Sequence, residues 1–207
     1  MLANYLEGIN ARGVILASGS VGRAKLCTQM GLRYEIIKSG FAEDADWRSF
    51  SSPEEYAMFN ARQKLAQIDS DKIIIAADTI ISLDNKVYEK PADKAEAMQM
   101  MRDFSGRTHK LITALVVKGL TYSEHLETTE LTVNELDEET VEAIGNTPSE
   151  WKDHSGGYSI DLKLGCTIFN KVNGCFYNII GLPISSLSKI LLKEHKEHLR
   201  VQALKNN

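Results

Sequence analysis

Residues 72–91 constrain the fold more than any other part of the chain. Three consecutive isoleucines, residues 73–75, lead through two alanines to Asp78, after which a second apolar run begins. A short β-branched run of this kind predicts a buried strand that ends at an acid. Because the sheet holds a strand end in place while leaving it open to a ligand, Asp78 is the first candidate for chemistry.

A serine turn after the first predicted strand is the second informative feature. Residues 13–17 predict a strand, Ser18-Gly19-Ser20 predicts a turn (the serine turn), and residues 21–30 carry a helical pattern. Unpaired backbone N–H groups and the positive end of the dipole lie at such a helix N-terminus. The turn therefore suits an anion.

The other segments alternate strands with helices early and favour β-hairpins late. Helices are predicted from Pro53, over 93–104, over 137–144 and from Pro183, and strands over 34–37, 109–117, 127–136, 166–172 and 175–180. Hairpin turns are predicted at Asp84-Asn85 and Asn173-Gly174. This order predicts an α/β fold with a mixed β-sheet and two lobes around a cleft.

Length and composition restrict the class of protein. The 207 residues, 43% apolar and 25% charged, fit one domain over 1–207 with no visible linker. A net charge of −4 without a basic stripe argues against nucleic-acid binding. Cys27, Cys166 and Cys175 lack CxxC spacing, which indicates reduced thiols. Since the sequence carries neither a signal-peptide pattern nor a membrane-spanning run, we expect a cytoplasmic protein with no membrane partner.

Cations and carboxylates recur near the predicted turns and strand ends. Arg23 follows the serine turn, Lys64 lies on a predicted helix, and Lys90 precedes a proline. Glu43 and Asp78 are acids in comparable places. Cations that hold phosphates, with carboxylates that hold a hard divalent ion, make a phosphoryl-transfer or hydrolysis site. Taken singly, each residue also fits a simpler interpretation, a solvated charge or, for Asp78, the cap of a turn.

A set of short motifs, in order along residues 14–192, resembles the Maf family of nucleoside triphosphate pyrophosphatases. The motifs are Leu16-Ala17-Ser18-Gly19-Ser20 with Arg23, then Glu43, Ala61-Arg62 with Lys64, Ala77-Asp78-Thr79, Lys90-Pro91-Ala92, residues 105–109 followed by Leu111-Ile112-Thr113-Ala114, Gly156-Gly157-Tyr158, Asn178, and Gly181-Leu182-Pro183. Each motif is weak alone, whereas the ordered set is specific. Residues 193–207 lie outside the set and are expected to form a charged terminal helix or tail.

The resemblance implies a reaction, a fold and a site. The reaction is hydrolysis of a nucleoside triphosphate to the monophosphate and pyrophosphate with Mg²⁺ or Mn²⁺. The fold is an elongated mixed β-sheet flanked by helices, with two lobes around a central cleft, commonly as a homodimer. By position, Asp78 matches the family's proposed proton acceptor, and Glu43 and Asp78 would hold the metal. The phosphate-binding residues would be Ser18, Ser20, Arg23, Lys64 and Lys90.

Five positions leave the substrate base and the rate open. Arg23 and Thr79 resemble family members that act on dTTP and UTP, whereas Asp161 resembles members that act on methylated guanine nucleotides. His154 replaces a lysine and is a candidate substrate-loop residue. Gly22 replaces an arginine, so one expected cation is missing.

These departures motivate a second hypothesis from a different class. The chain would then be a nucleotide-binding regulator of cell division and septation with little or no catalysis. Nucleotide binding without pyrophosphate release would favour that interpretation.

Overall fold

The computed structural model describes residues 2–205. The helices are α1 (Leu6–Ala11), α2 (Val21–Gln29), α3 (Pro53–Ala66), α4 (Lys94–Phe104), α5 (Glu138–Gly145), α6 (Pro148–Trp151), α7 (Phe176–Ile179) and α8 (Ile184–Lys205). The strands are β1 (Val14–Leu16), β2 (Glu35–Ile36), β3 (Ile73–Leu83), β4 (Lys86–Tyr88), β5 (Thr108–Lys118), β6 (Tyr122–Val133) and β7 (Phe169–Asn173). No helix within these residues is long and apolar enough to cross a membrane.

Side-chain caps start several of the helices where the sequence predicts them. The Ser52 hydroxyl accepts a hydrogen bond from the backbone N–H of Glu55 and starts α3, whose first residue is Pro53. Asp93 and Asp137 cap α4 and α5 in the same way. Each cap satisfies a backbone donor that the helix leaves unpaired. The predicted helix starts are thus confirmed.

The sheet has seven strands and mixed pairing, in the order β2-β1-β3-β5-β6-β7, with β4 also paired to β3. β1 runs parallel to β2 and β3, and the remaining pairs are antiparallel. Asp84 and Asn85, with φ of 52° and 61°, form the turn between β3 and β4. Both the mixed sheet and this hairpin are confirmed.

One edge of β3 has a gap in its strand pairing. β5 follows the other edge over residues 74–82. On the gapped edge, β1 pairs with residues 73–75 and β4 with residues 81–83. Within the described chain, residues 76–80 therefore have no strand partner on that edge, and Asp78 and Thr79 lie inside this interval.

Alternate residues of β3 pack against different helices. Ile74 and Ile80 pack with α3 on one face, whereas Ile73 and Ile75 pack with α2 and α8 on the other. A further apolar cluster around Phe104 joins α4 and α5 to the distal parts of β3, β5 and β6. Helices therefore flank the mixed sheet on both faces, as predicted.

The prediction that a strand ends at Asp78 is wrong. β3 continues through Asp78 to Leu83, and Asp78 lies opposite Ala114 of β5. The two apolar runs around this acid belong to one long strand, because β5 pairs with it continuously. Asp78 therefore lies where β3 has no strand neighbour on one edge rather than at a strand end.

The predicted hairpin at Asn173-Gly174 is also wrong. β7 begins only at Phe169, and the segment after Gly174 forms helix α7 instead of a strand. Buried Asn178 of α7 donates through Nδ2 to the carbonyl oxygens of Leu111 and Glu127, at 3.3 and 3.2 Å. These tertiary hydrogen bonds hold the segment as a helix against the sheet, and the local turn preference yields to them.

Candidate active site

A cavity of about 870 Å³, called the cleft below, opens at the unpaired edge of β3. The serine turn, the start of α2 and residues 152–155 contribute to its lining. Small-molecule sites commonly have volumes of about 300–1,000 Å³. The cleft is therefore large enough for a nucleotide.

Lys64 lies between two carboxylates on the α3 side of β3. Its Nζ is 2.5 Å from Oδ1 of Asp78 and 2.9 Å from Oε2 of Glu43. Asn60 donates from Nδ2 to the other carboxylate oxygen of Asp78 at 3.3 Å. Lys64 and Asp78 are buried, while Glu43 is half exposed. Two carboxylates that meet at one ammonium group offer oxygen ligands of the kind that a hard divalent cation prefers.

Arg23 is held on the opposite face of β3. Its Nε donates to the Gly181 carbonyl at 2.9 Å, Nη1 to Ser18 Oγ at 3.1 Å, and Nη2 to Thr79 Oγ1 at 2.9 Å. Burial lowers the pKa of Arg23, with the charges of Asp78 and Glu43 opposing the shift. A guanidinium nevertheless stays protonated at neutral pH. Arg23 is therefore a rigid cation beside the cleft.

The predicted residues divide between the two faces because Asp78 and Thr79 are adjacent in a strand. Neighbouring strand residues point to opposite sides of a sheet. Asp78 accordingly contacts Lys64, and Thr79 contacts Arg23. Both groups line the same cleft. The gap in strand pairing is what lets one ligand reach both faces.

Helix α2 begins directly after the serine turn, as predicted. Ser20 caps α2, its Oγ accepting a hydrogen bond from the backbone N–H of Arg23 at 3.4 Å. Ser18 Oγ accepts from the backbone N–H of Ser20 at 3.2 Å. Since these bonds satisfy few of the first-turn donors, the turn retains N–H groups for an anion.

Asp161 lines the cleft with both carboxylate oxygens already in use. Oδ1 accepts from Ser159 Oγ at 2.7 Å, and Oδ2 pairs with Lys25 Nζ at 3.1 Å. The Ser159 hydrogen bond, followed by the Lys25 contacts, lowers the pKa of Asp161. This carboxylate stays ionised and is occupied by protein donors.

His154 and Lys90 also line the cleft, on the side away from α2. Burial lowers the pKa of His154, with Asp161 and Asp153 opposing the shift. At neutral pH its imidazole is uncharged, unlike the lysine that the resemblance leads one to expect there. Lys90 is exposed, and its ammonium group has no ion-pair or hydrogen-bond partner among residues 2–205.

Glu43 and Asp78 are the two carboxylates beside Lys64 that a metal ion would use. Both converge on the Lys64 ammonium group. No group of three or more His, Cys, Asp or Glu residues within residues 2–205 is arranged to hold a metal. Mg²⁺ is commonly bound by one or two carboxylates together with substrate phosphates and water. The donor set therefore fits a metal that shares its ligands with a bound phosphate.

Reasoning from sequence missed two residues at the site, Asn60 behind Asp78 and Lys38 in the cleft lining. Asn60 contacts Asp78, and its position four residues before Lys64 on α3 was an available signal, because residues i and i+4 share a helix face. Lys38 lines the cleft next to the serine turn. It follows β2 in a segment whose sequence carries no functional pattern.

The fold and the cleft define an α/β protein with a cation-rich site suited to a polyphosphate ligand. Comparison with known families assigns it more closely. The model for "Maf-like protein" matches residues 13–194, and the chain belongs to this family.

Similar proteins cover most of the chain. A "dTTP/UTP pyrophosphatase" of Bacillus cereus is 37% identical over 190 residues, covering 89% of this chain and 91% of that protein. A "dTTP/UTP pyrophosphatase" of Thermoanaerobacter is 34% identical, covering 87% and 96%. Among solved structures, a HAM1 protein from Coxiella burnetii has a TM-score of 0.47 at 15% identity, covering 87% of this chain and 98% of that chain.

Proposed function

We propose that this chain is a nucleoside triphosphate pyrophosphatase that hydrolyses dTTP and UTP to the monophosphate and pyrophosphate. The observation that carries the proposal is the buried Lys64 between Asp78 and Glu43, in a cleft that Arg23 lines from the other face of β3. The names of the similar bacterial proteins support the same reaction. Membership of the family supports it further.

Asp78 is the proposed proton acceptor. The attacking water forms a bond to the α-phosphorus, and the bond from that phosphorus to the bridging oxygen breaks. The electron pair leaves with pyrophosphate, and the proton of the water passes to the Asp78 carboxylate. Lys64 and Arg23 offset the negative charge that builds up on the phosphate oxygens.

Ser18, Ser20 and Lys90 are the further proposed phosphate contacts. The serine turn offers hydroxyl groups and first-turn N–H donors, and Lys90 adds a cation with no partner among the described residues. Charge-assisted hydrogen bonds from these groups would orient the triphosphate along the cleft.

Glu43 and Asp78 are the proposed ligands of a Mg²⁺ or Mn²⁺ ion. When bound, this ion would polarise the phosphate oxygens and lower the pKa of a coordinated water. The approach of both carboxylates to the same ammonium group supports the assignment.

Base choice is assigned to Arg23, Thr79 and Asp161. The Thr79 hydroxyl and the Arg23 guanidinium lie in hydrogen-bond contact at 2.9 Å beside the cleft. Asp161 accepts from Ser159 and pairs with Lys25, so a guanine N–H would have to compete with these two protein donors for the carboxylate. This competition, together with the names of the similar proteins, favours a pyrimidine base over a methylated guanine. His154 would contact the substrate as a neutral group.

The assembly and location follow the family resemblance and the sequence. We propose a single domain over 1–207 that acts as a homodimer in the cytoplasm, with no nucleic-acid or membrane partner. Gel filtration with light scattering would test the oligomeric state.

Pyrophosphate release is the deciding measurement. Common and methylated NTPs and dNTPs would be offered with Mg²⁺ or Mn²⁺ to the wild type, and we expect release from dTTP and UTP only. Release from methylated guanine nucleotides would reverse the assignment of Asp161. Binding without release from any nucleotide would favour the regulator of cell division instead.

A further inference from the structure

Lys38 lies across the serine turn. β1 and β2 are parallel neighbours, with Leu16 opposite Ile36, so the segments that follow them leave the sheet at the same edge. Ile37 extends the contact by donating its backbone N–H to the Leu16 carbonyl at 3.2 Å. The next residue on this side, Lys38, therefore meets the turn that follows β1.

Gly19 provides the space that the Lys38 side chain occupies. A methyl group on Gly19 would lie 2.9 Å from Cε and 3.4 Å from Cδ of Lys38. Contacts below about 3.0 Å are repulsive for carbon atoms, which attract each other at about 3.5–4.0 Å. The absence of a side chain at Gly19 thus lets the lysine stem pack directly on the turn.

The cations that line the cleft form two groups: those with a protein partner, and Lys38, Lys90 and Lys152, whose ammonium groups have none among residues 2–205. Arg23, Lys25 and Lys64 each pair with protein acceptors. The Lys38 ammonium group has no ion-pair or hydrogen-bond partner within residues 2–205, although it lines the cleft. A free ammonium group beside a helix N-terminus creates a site where negative charge is doubly favoured.

The neighbouring position on α2 supplies no charge that could take this role. Position 22 is glycine, and any side chain there would begin 2.7 Å from the backbone carbonyl oxygen of Ile180. A long cationic side chain therefore has no room at position 22. Lys38, which packs on Gly19 of the same turn, can provide a positive charge that Gly22 does not.

We propose that Lys38 binds a non-bridging oxygen of the substrate triphosphate and is held in place for this by the bare backbone of Gly19. The inference rests on the proposed pyrophosphatase function and adds a substrate-binding residue to it. Lys38 contacts the phosphates, and Gly19 acts only by positioning Lys38.

Kinetics of four variants would test both residues. The variants are Lys38→Ala, Gly19→Ala, the double variant, and Lys171→Ala, which truncates an exposed lysine of β7 outside the cleft. We expect Lys38→Ala to raise KM for UTP roughly three- to tenfold with little change in kcat, as for one partly screened phosphate contact. The difference from wild type should shrink as salt is raised.

The double variant separates positioning from simple structural damage. Gly19→Ala should raise KM in the wild-type background and have no further effect once Lys38 is already alanine. Lys38→Arg should recover most of the lost affinity because it restores the charge. Equal KM values for wild type and Lys38→Ala, or the same KM increase in Lys171→Ala, would overturn the proposal.

Binding measurements keep this test separate from the proposed function. Calorimetry with inorganic pyrophosphate and with a UTP analogue that cannot be cleaved would be run on the same variants. If the wild type binds but releases no pyrophosphate, the proposed function fails, and weaker binding by Lys38→Ala would still support the inference. Equal binding by both proteins, or binding by neither, would overturn it.

Discussion

Replacing Asp78 with asparagine removes one negative charge from the cleft while preserving the shape of the side chain. The two groups of the ion pair are nearly inaccessible, with side chains 9% exposed for Lys64 and 6% for Asp78. Removing one partner of a buried ion pair costs about 3–5 kcal/mol. Glu43 remains 2.9 Å from the ammonium group, and the amide oxygen can still accept a hydrogen bond. The expected loss is therefore smaller, about 2 kcal/mol.

This loss predicts a lower melting temperature together with a loss of catalysis. About 2 kcal/mol corresponds to a decrease of about 4–8 °C in a protein of this size. If Asp78 accepts the proton of the attacking water, pyrophosphate release should fall by about 10²–10⁴-fold. Scanning calorimetry and a pyrophosphate assay on the same Asp78→Asn preparation would measure both effects.

An exposed ion pair between α3 and β6 provides a matched control. Arg62 of α3 pairs with Glu124 at 2.6 Å, but its side chain is 52% exposed. Glu124→Gln should cost less than about 1 kcal/mol, because exposed ion pairs contribute little, and should leave the activity unchanged. The charge change is the same as in Asp78→Asn, but this pair is exposed and lies outside the cleft.

A double-variant cycle measures how strongly Lys64 and Asp78 stabilise each other. Lys64→Met combined with Asp78→Asn should cost at least about 1 kcal/mol less than the sum of the single variants, because the second change no longer leaves an unpaired buried charge. Additive costs would show that the pair contributes nothing specific to stability. Wild-type turnover in Asp78→Asn would reject Asp78 as the proton acceptor.

Three further outcomes are expected. Burial lowers the pKa of His109 to about 4, so the unfolded state binds a proton before the folded state as pH falls. The unfolding free energy should therefore drop by about 2 kcal/mol from about pH 7 to about pH 5. Urea titrations should show a smaller drop for His109→Gln. Iodoacetamide should label exposed Cys166 in the folded protein. Cys27 is buried, and burial raises its pKa to about 12, so it should be labelled only after unfolding. Peptide mass spectrometry would show both results. Gly22→Ala should destabilise the fold by about 1–3 kcal/mol because the added methyl group would lie too close to Ile180. Gly22→Arg should for the same reason not raise turnover. A stable and faster Gly22→Arg variant would contradict this.

Local chemistry decided much of the fold. The starts of α3 and α4, capped by Ser52 and Asp93, and the turn at Asp84-Asn85 each depend on residues a few positions apart, and these helix starts and this turn occur where the sequence predicts them. The apolar run at residues 73–75 likewise forms a buried central strand. Such interactions are satisfied within one turn or one strand, so they can be predicted without knowing the rest of the molecule.

The tertiary structure alone decided where chemistry can occur. The sequence places Asp78 beside Thr79, but only the pairing of β1 and β4 leaves that part of β3 open on one edge. Contacts from distant segments then bring Lys64 to one face and Arg23 to the other. Asn178 in the same way converts a predicted strand into α7. Strand pairing and side-chain burial join residues that are far apart in the chain, and no local pattern carries that information.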